Sequence, residues 1–123
     1  MTPNERDQLR HELIDRLTDI YRHVRADLSE VTVGAAIAAD TSDEAEEGAI
    51  DELRALDSSL DERNRELAHA IEDALRRMNG DTYGICIDCG NDIPYERLRV
   101  VPWTLRCADD EARAEGRTPH ATL

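Results

Sequence analysis

Three cysteines and an acidic cluster carry most of the chemistry legible in this sequence. Cys86-x-x-Cys89-Gly90 has the form of a metal knuckle. Two thiolates separated by two residues grip one ion, and glycine permits the tight turn beneath them. After seventeen intervening residues comes Cys107-Ala108-Asp109-Asp110. A structural zinc ribbon would place its fourth cysteine at position 110, where this chain has Asp110. A carboxylate oxygen binds zinc at about 2.0–2.2 Å, so Cys86, Cys89, Cys107 and Asp110 form a competent set with one hard ligand and weaker retention. Asp109, His120 or water are alternative fourth ligands. Two further readings stay open. In one the finger holds no metal and its thiols are small buried residues. In the other Cys86 and Cys89 are a redox pair, although the strand and helix that flank a thioredoxin-like site are missing from the pattern. An odd number of cysteines argues against a disulfide scaffold. The second cluster, Asp40-Thr41-Ser42-Asp43-Glu44-Ala45-Glu46-Glu47-Gly48, reads as an acidic loop in which Ser42 or Asp43 caps a following helix.

The elements that position these groups follow from composition and periodicity. The 123 residues carry a net charge of −13, with 35% charged and 3% aromatic residues. Such a chain is repelled by nucleic-acid backbones and anionic membranes, and it suits amphipathic helices better than a thick core. All fifteen basic residues are Arg. No apolar leader is visible at the start, and the most apolar run, Val31 to Ala39, is too short to span a bilayer, so a cytoplasmic location is expected. Apolar residues recur at Leu9, Leu13, Leu17, Ile20, Val24, Leu28 and Val31, a coiled-coil spacing that predicts a helix over 4–32. The positions Ile50, Leu53, Asp57, Leu60, Asn64, Leu67, Ile71, Ala74 and Met78 predict a second over 46–79, stopped by Asn79-Gly80. Two such helices, each ~40–50 Å long, would pair as an antiparallel hairpin with its tip at Asp40–Ala45. The expected fold is therefore mainly α: a long coiled-coil hairpin over 1–79, then a small ribbon-like finger and short C-terminal helix over 80–123. Arg97 to Trp103 reads as a brief extended piece, and Leu105 to Glu115 as the helix. His11 and His23 fall on solvated faces, His69 beside the seam, and Trp103 reads as a plug between finger and hairpin. No histidine stands at a spacing that suggests an enzyme.

The residues Tyr83-Gly84-x-Cys86-x-x-Cys89-Gly90-x-x-Ile93-x-x-x-Arg97-Leu98-x-x-x-Pro102-x-x-x-x-Cys107-x-x-Asp110 resemble the finger of the DksA/TraR family of bacterial transcription regulators. With the hairpin before it, the resemblance covers roughly residues 5–116. The tip adds a second likeness, since Asp40-Thr41-Ser42-Asp43-Glu44-Ala45 fits the family's Asp-x-x-Asp-x-Ala motif. The resemblance implies a non-enzymatic, monomeric regulator that binds core RNA polymerase directly and does not contact DNA. Its hairpin would enter the secondary channel, with Asp40, Asp43 and Ala45 near the active centre, and zinc in the finger. Some members also bind the alarmone guanosine tetraphosphate through basic residues around the finger. Here Ala70, Val101 and Glu111 stand in those places, so alarmone binding of the usual kind is not expected. Two other functions fit parts of the sequence. A transcript-cleavage factor would hold Mg²⁺ with Asp40, Asp43, Glu44, Glu46 and Glu47, but its partner domain is β-rich and has no such knuckle. A coiled-coil adaptor would explain residues 5–79 and leave the finger and tip motif as coincidence.

Overall fold

The computed structural model describes residues 1–40 and 53–116. Asp43 and Ala45 of the tip motif, and His120, lie outside the described residues. The described part is mainly helical and contains no strand: α1 Pro3–Arg22, α2 Glu30–Asp40, a helical turn over 53–57, α3 Glu62–Asn79, α4 Tyr95–Val100 and α5 Ala108–Ala114. One isolated antiparallel bridge joins Ile85 to Asp92.

The start of α1 follows from its sequence. Pro3 occupies the first turn, the Glu5 backbone N–H donates to Thr2 Oγ1 at 3.1 Å, and the Thr2 N–H donates to Glu5 Oε1 at 2.8 Å. This reciprocal pair satisfies two amides that the helix itself leaves without partners. One face of α1 then buries Leu9, Leu13, Leu17 and Ile20, all seam positions, against Ile71, Ala74 and Met78 of α3 in one apolar cluster. The pairing is antiparallel at its base: Arg6 donates to the carbonyls of Met78 and Gly80, and Arg10 Nη1 reaches Asn79 Oδ1 at 3.2 Å.

The two long helices expected over 4–32 and 46–79 are each broken. The first stops at Arg22, whose Nε donates to the Leu28 carbonyl at 2.7 Å across a turn. Ser29 then caps α2, its hydroxyl accepting from the Thr32 N–H at 3.2 Å. The chain doubles back, so that Glu30 meets Asp15 and Gly34 lies against Ile14. Val31, expected in the seam, is 81% exposed, and Val33, Ala36 and Ile37 are buried instead. The second arm breaks at 58–61. Arg65 donates to the carbonyls of Asp57 and Leu60 at 3.2 and 2.9 Å, closing the turn over 53–57. Asp61 opens α3 by accepting from the Asn64 N–H at 2.8 Å. Local caps thus prevail over a periodicity that runs through both breaks, and α1 and α3 are about 30 and 27 Å long instead of ~40–50 Å. Leu60 is buried as the seam requires, whereas Leu67 is half-buried and Ala68 takes the interior place. The expected extended piece before Trp103 is the helix α4, because Pro94 starts a helical turn that buries Leu98.

The finger sits on the hairpin base. Tyr95 donates to Gln8 Oε1 at 3.2 Å, and the Arg16 guanidinium stacks over the Trp103 ring at 5.2 Å. Trp103 is half-buried against the main core, the plug position read from the sequence. Among the described residues no helix is long and apolar enough to cross a membrane.

Two predictions follow from this packing. Leu13→Ala should cost about 2–5 kcal/mol in chemical denaturation, and Val31→Ala less than about 0.5 kcal/mol. Equal costs would mean that α2 does not fold back as described. Glu72 faces Tyr21, Arg54, Asp57, His69 and Arg76, and burial raises its carboxyl above the usual range despite the Tyr21 hydroxyl bond. The folded state therefore holds that proton more tightly than the unfolded chain. Stability is fullest below the ordinary glutamate range and declines as pH rises through the raised value. Glu72→Gln keeps an acceptor for Tyr21, so its melting temperature relative to wild type should rise as pH climbs from the ordinary glutamate range through the raised value. A pH-independent difference would show Glu72 to be solvated.

Candidate metal centre

Two short loops bring the cysteines together. Gly84 and Gly90 adopt φ of +82° and +75°, the left-handed region that glycine enters without strain. These turns let the Gly90 N–H donate to the Cys86 carbonyl at 3.0 Å and the Cys86 N–H donate to the Asn91 carbonyl at 2.9 Å. The knuckle is tied to the second loop by the Ile87 N–H donating to the Leu105 carbonyl at 3.0 Å. Tyr83 supports the hinge between them by donating to the Pro102 carbonyl at 2.8 Å, and burial pushes its hydroxyl up to about 12. Cys107 is the N-cap of α5, which places Asp110 in the first turn facing back toward the knuckle.

Ligand atoms of Cys86, Cys89, Cys107 and Asp110 all lie within 4.8 Å of one another. Among the described residues this is the one such group. The three cysteines are free thiols. Cys86 is 2% exposed and Asp110 9%. Cys86 and Cys107 each donate through Sγ to Asp110 Oδ2, at 3.1 and 3.2 Å. The other carboxylate oxygen, Oδ1, accepts from Arg113 Nη1 at 2.7 Å. That division leaves Oδ2 alone aimed into the cluster, while Arg113 fixes the carboxylate plane. Arg113 escaped the sequence reading, although its i,i+3 spacing from Asp110 on a helix was the signal for it.

The electrostatics fit a cation. The thiols of Cys86, Cys107 and Cys89 hold the Asp110 carboxyl down to about 2. Burial works to raise Cys86, but the backbone N–H groups of Cys89 and Cys107 outweigh it and the thiol falls below its usual value. Cys89, despite the Asn91 N–H that favours its thiolate, is pushed up to about 11 by Asp110 and Cys86. Cys107 is likewise raised, the Asp110 N–H that lowers it being outweighed by burial and the Asp110 side chain. Cys89 and Cys107, set beside the Asp110 carboxylate and the Cys86 thiol, resist losing their protons until a cation compensates the charge.

The other residues singled out by the sequence are placed elsewhere. His69 Nε2 pairs with Asp57 Oδ1 at 2.9 Å, the structural role expected beside the seam. Asp40 ends α2. Ala70, Val101 and Glu111 do come together, lining a cleft of about 370 Å³ between α3 and the finger with Arg97, Trp103 and Arg106. Both arginines there are engaged internally: Arg97 Nε donates to the Arg106 carbonyl at 2.9 Å, and Arg106 pairs with Asp88 at 2.7 Å.

Residues 81–116 match the prokaryotic DksA/TraR C4-type zinc finger. The match covers the finger alone, and it is the finger that is similar to this family. It is 37% identical over 71 residues to general stress protein 16O of Bacillus subtilis, covering 58% of this chain and 44% of that one. An uncharacterised protein of Aquifex aeolicus is 43% identical over 49 residues, 37% of this chain and 34% of its own. The RNA polymerase-binding transcription factor DksA of Caulobacter vibrioides is 27% identical over 117 residues, 95% of this chain and 80% of its own. The match thus spans less than half the length of the two more similar relatives and most of the more distant one. No solved structure matches the chain.

The DksA/TraR finger is a four-cysteine zinc site, and the cluster here fits zinc with Asp110 in the fourth place. Cys86, Cys89, Cys107 and Asp110 would hold the ion, which would lock the two loops together. Asp110→Cys should slow zinc loss to a chelator, with zinc per chain measured by elemental analysis before and after treatment. Acidification should release zinc from both proteins, since the ligands bind deprotonated. Absence of zinc from both wild type and Asp110→Cys would show that the finger stands without metal.

Proposed function

We propose that this protein is a cytoplasmic transcription regulator that acts as a monomer, without enzymatic activity, by binding core RNA polymerase directly. The observation that carries this reading is the joint match of the finger to the DksA/TraR model and of nearly the whole chain to a relative named as an RNA polymerase-binding transcription factor. In this reading the hairpin enters the secondary channel and presents the acidic motif Asp40, Asp43 and Ala45 near the active centre. The finger, with zinc on Cys86, Cys89, Cys107 and Asp110, rests on the rim. A net charge of −13 supports docking to a basic protein surface and opposes contact with DNA. Guanosine tetraphosphate is not a partner in this reading, because Glu111 repels phosphate and the cleft arginines are already engaged. A coiled-coil adaptor would leave the finger match unexplained.

The reading is tested by binding to purified core polymerase in the absence of DNA, repeated at rising salt. Retention should fall with ionic strength because the charge pairs are screened. Asp43→Asn should bind about as well as wild type yet lose the effect on a responsive promoter. An active Asp43→Asn variant would remove the tip from the mechanism, and failure of wild type to bind polymerase would remove the function.

A further inference from the structure

The second arm breaks where its apolar periodicity gives no reason to break. From Ile50 to Met78 the seam steps run through Ser58-Ser59-Leu60-Asp61 without a slip, and no glycine or proline stands there. Yet the chain turns, and residues 53–57 lie back along α3. In one continuous helix Arg54 and Arg76 would stand ~33 Å apart. Here they line a single cleft of about 530 Å³ with Tyr21, Asp57, His69 and Glu72.

The folded-back form is held by the buried seam residues Leu53 and Leu60 together with polar contacts, and it leaves the seam positions Val24 and Leu67 incompletely used. Asp57 takes His69 at 2.9 Å and Arg65 at 3.6 Å, both partners being more than a third exposed. Exposed pairs of this kind contribute little individually. Tyr21 donates to Glu72 at 3.0 Å, a pair with both partners largely removed from water. Val24 and Leu67 are only half-buried. The fully buried contact of Leu13 and Leu17 with Ile71 and Leu75 lies beyond the break and does not depend on it.

We propose that residues 58–61 are a hinge at which the second arm exchanges between the closed form described here and a straight form in which 53–79 is one helix, with Asp57, Arg65 and His69 as its latch. Straightening would carry Asp57 ~18 Å along the axis from His69, so the latch must open. Asp61 would give up its cap on the Asn64 N–H. In return residues 58–61 gain helical hydrogen bonds, and Leu67 gains the seam position its spacing assigns. The first arm is built alike, with Ser29 in the part of Asp61. The exchange belongs to the chain itself and needs no polymerase.

The absence of lysine makes a clean test. Arg54→Lys/Arg76→Lys keeps both charges and places two side-chain amines across the cleft. A short amine-reactive cross-linker should join them in the full-length protein, with the linked peptide identified by mass spectrometry. Adding Ser58→Ala, Ser59→Ala and Asp61→Ala removes the cap and favours helix through the hinge. In a brief pulse of reagent the ratio of cross-linked to unlinked chain should fall roughly fivefold, about the factor carried by one N-cap, while helical circular dichroism rises and the thermal transition stays cooperative. An unchanged cross-linked fraction would show that 58–61 is a fixed corner. Loss of the cooperative transition would equally overturn the proposal, because the straight form is then not a folded alternative.

Discussion

The described elements are arranged around the dry contact between α1 and α3. The chain has no phenylalanine, one tryptophan and three tyrosines, too few aromatics from which to build a second core. Leu13, Leu17, Ile71, Ala74 and Leu75 are fully removed from water. Burial of aliphatic side chains is the principal favourable term open to such a composition. The finger, α2 and the turn over 53–57 are each positioned by what they rest on along this pair. Arg6, Gln8, Arg10 and Arg16 on α1 supply the polar anchors that orient the finger and the end of α3.

The finger depends on that platform in a different way. It contains little regular structure, and its two loops converge on a few atoms: three sulfurs and one carboxylate oxygen. Asp110 is central because it joins the loops at the cluster itself, accepting from Cys86 of the first and Cys107 of the second while Arg113 holds its other oxygen. A carboxylate in place of a fourth thiolate retains the negative charge a divalent cation needs. It gives up some of the soft-ligand affinity that makes four-cysteine sites tenacious. The same substitution adds an oxygen that a second residue can grip, so this site is steadied from outside in a way a fourth cysteine could not be.

The arms show two sets of local rules competing for the same residues. Seam periodicity asks for straight helices, while Ser29, Asp61 and Arg65 offer caps that satisfy helix ends in mid-arm. Each option is worth on the order of 1 kcal/mol, so neither dominates on local grounds. The turn is settled by what the returning segments meet: Ile14 and the α1–α3 groove for α2, and the polar group of Tyr21, His69 and Glu72 for residues 53–57.

By itself the sequence determined the helical class, the start of α1, the stripe Leu9–Leu13–Leu17–Ile20, the stop at Asn79-Gly80 and the grouping of the three cysteines. These are local or periodic properties, written in residues near one another or in the fixed spacing of a knuckle, and they survive whatever the rest of the chain does. The sequence also held the signals for the breaks, in Ser29 and Asp61, but gave no means of weighing a cap against an unbroken heptad. That choice depended on contacts such as Asp15 with Glu30 and Asp57 with His69, between residues far apart along a straight helix and adjacent only once the chain has turned. The tertiary structure likewise decided that Asp110 and not Asp109 faces the thiols, because the phase of α5 is set by where Cys107 is held. It alone brought Arg113 to the carboxylate and Arg16 to the Trp103 ring. Periodicity fixes which face of a helix is apolar; where that helix ends, and what its far side meets, follow from packing that no local window contains.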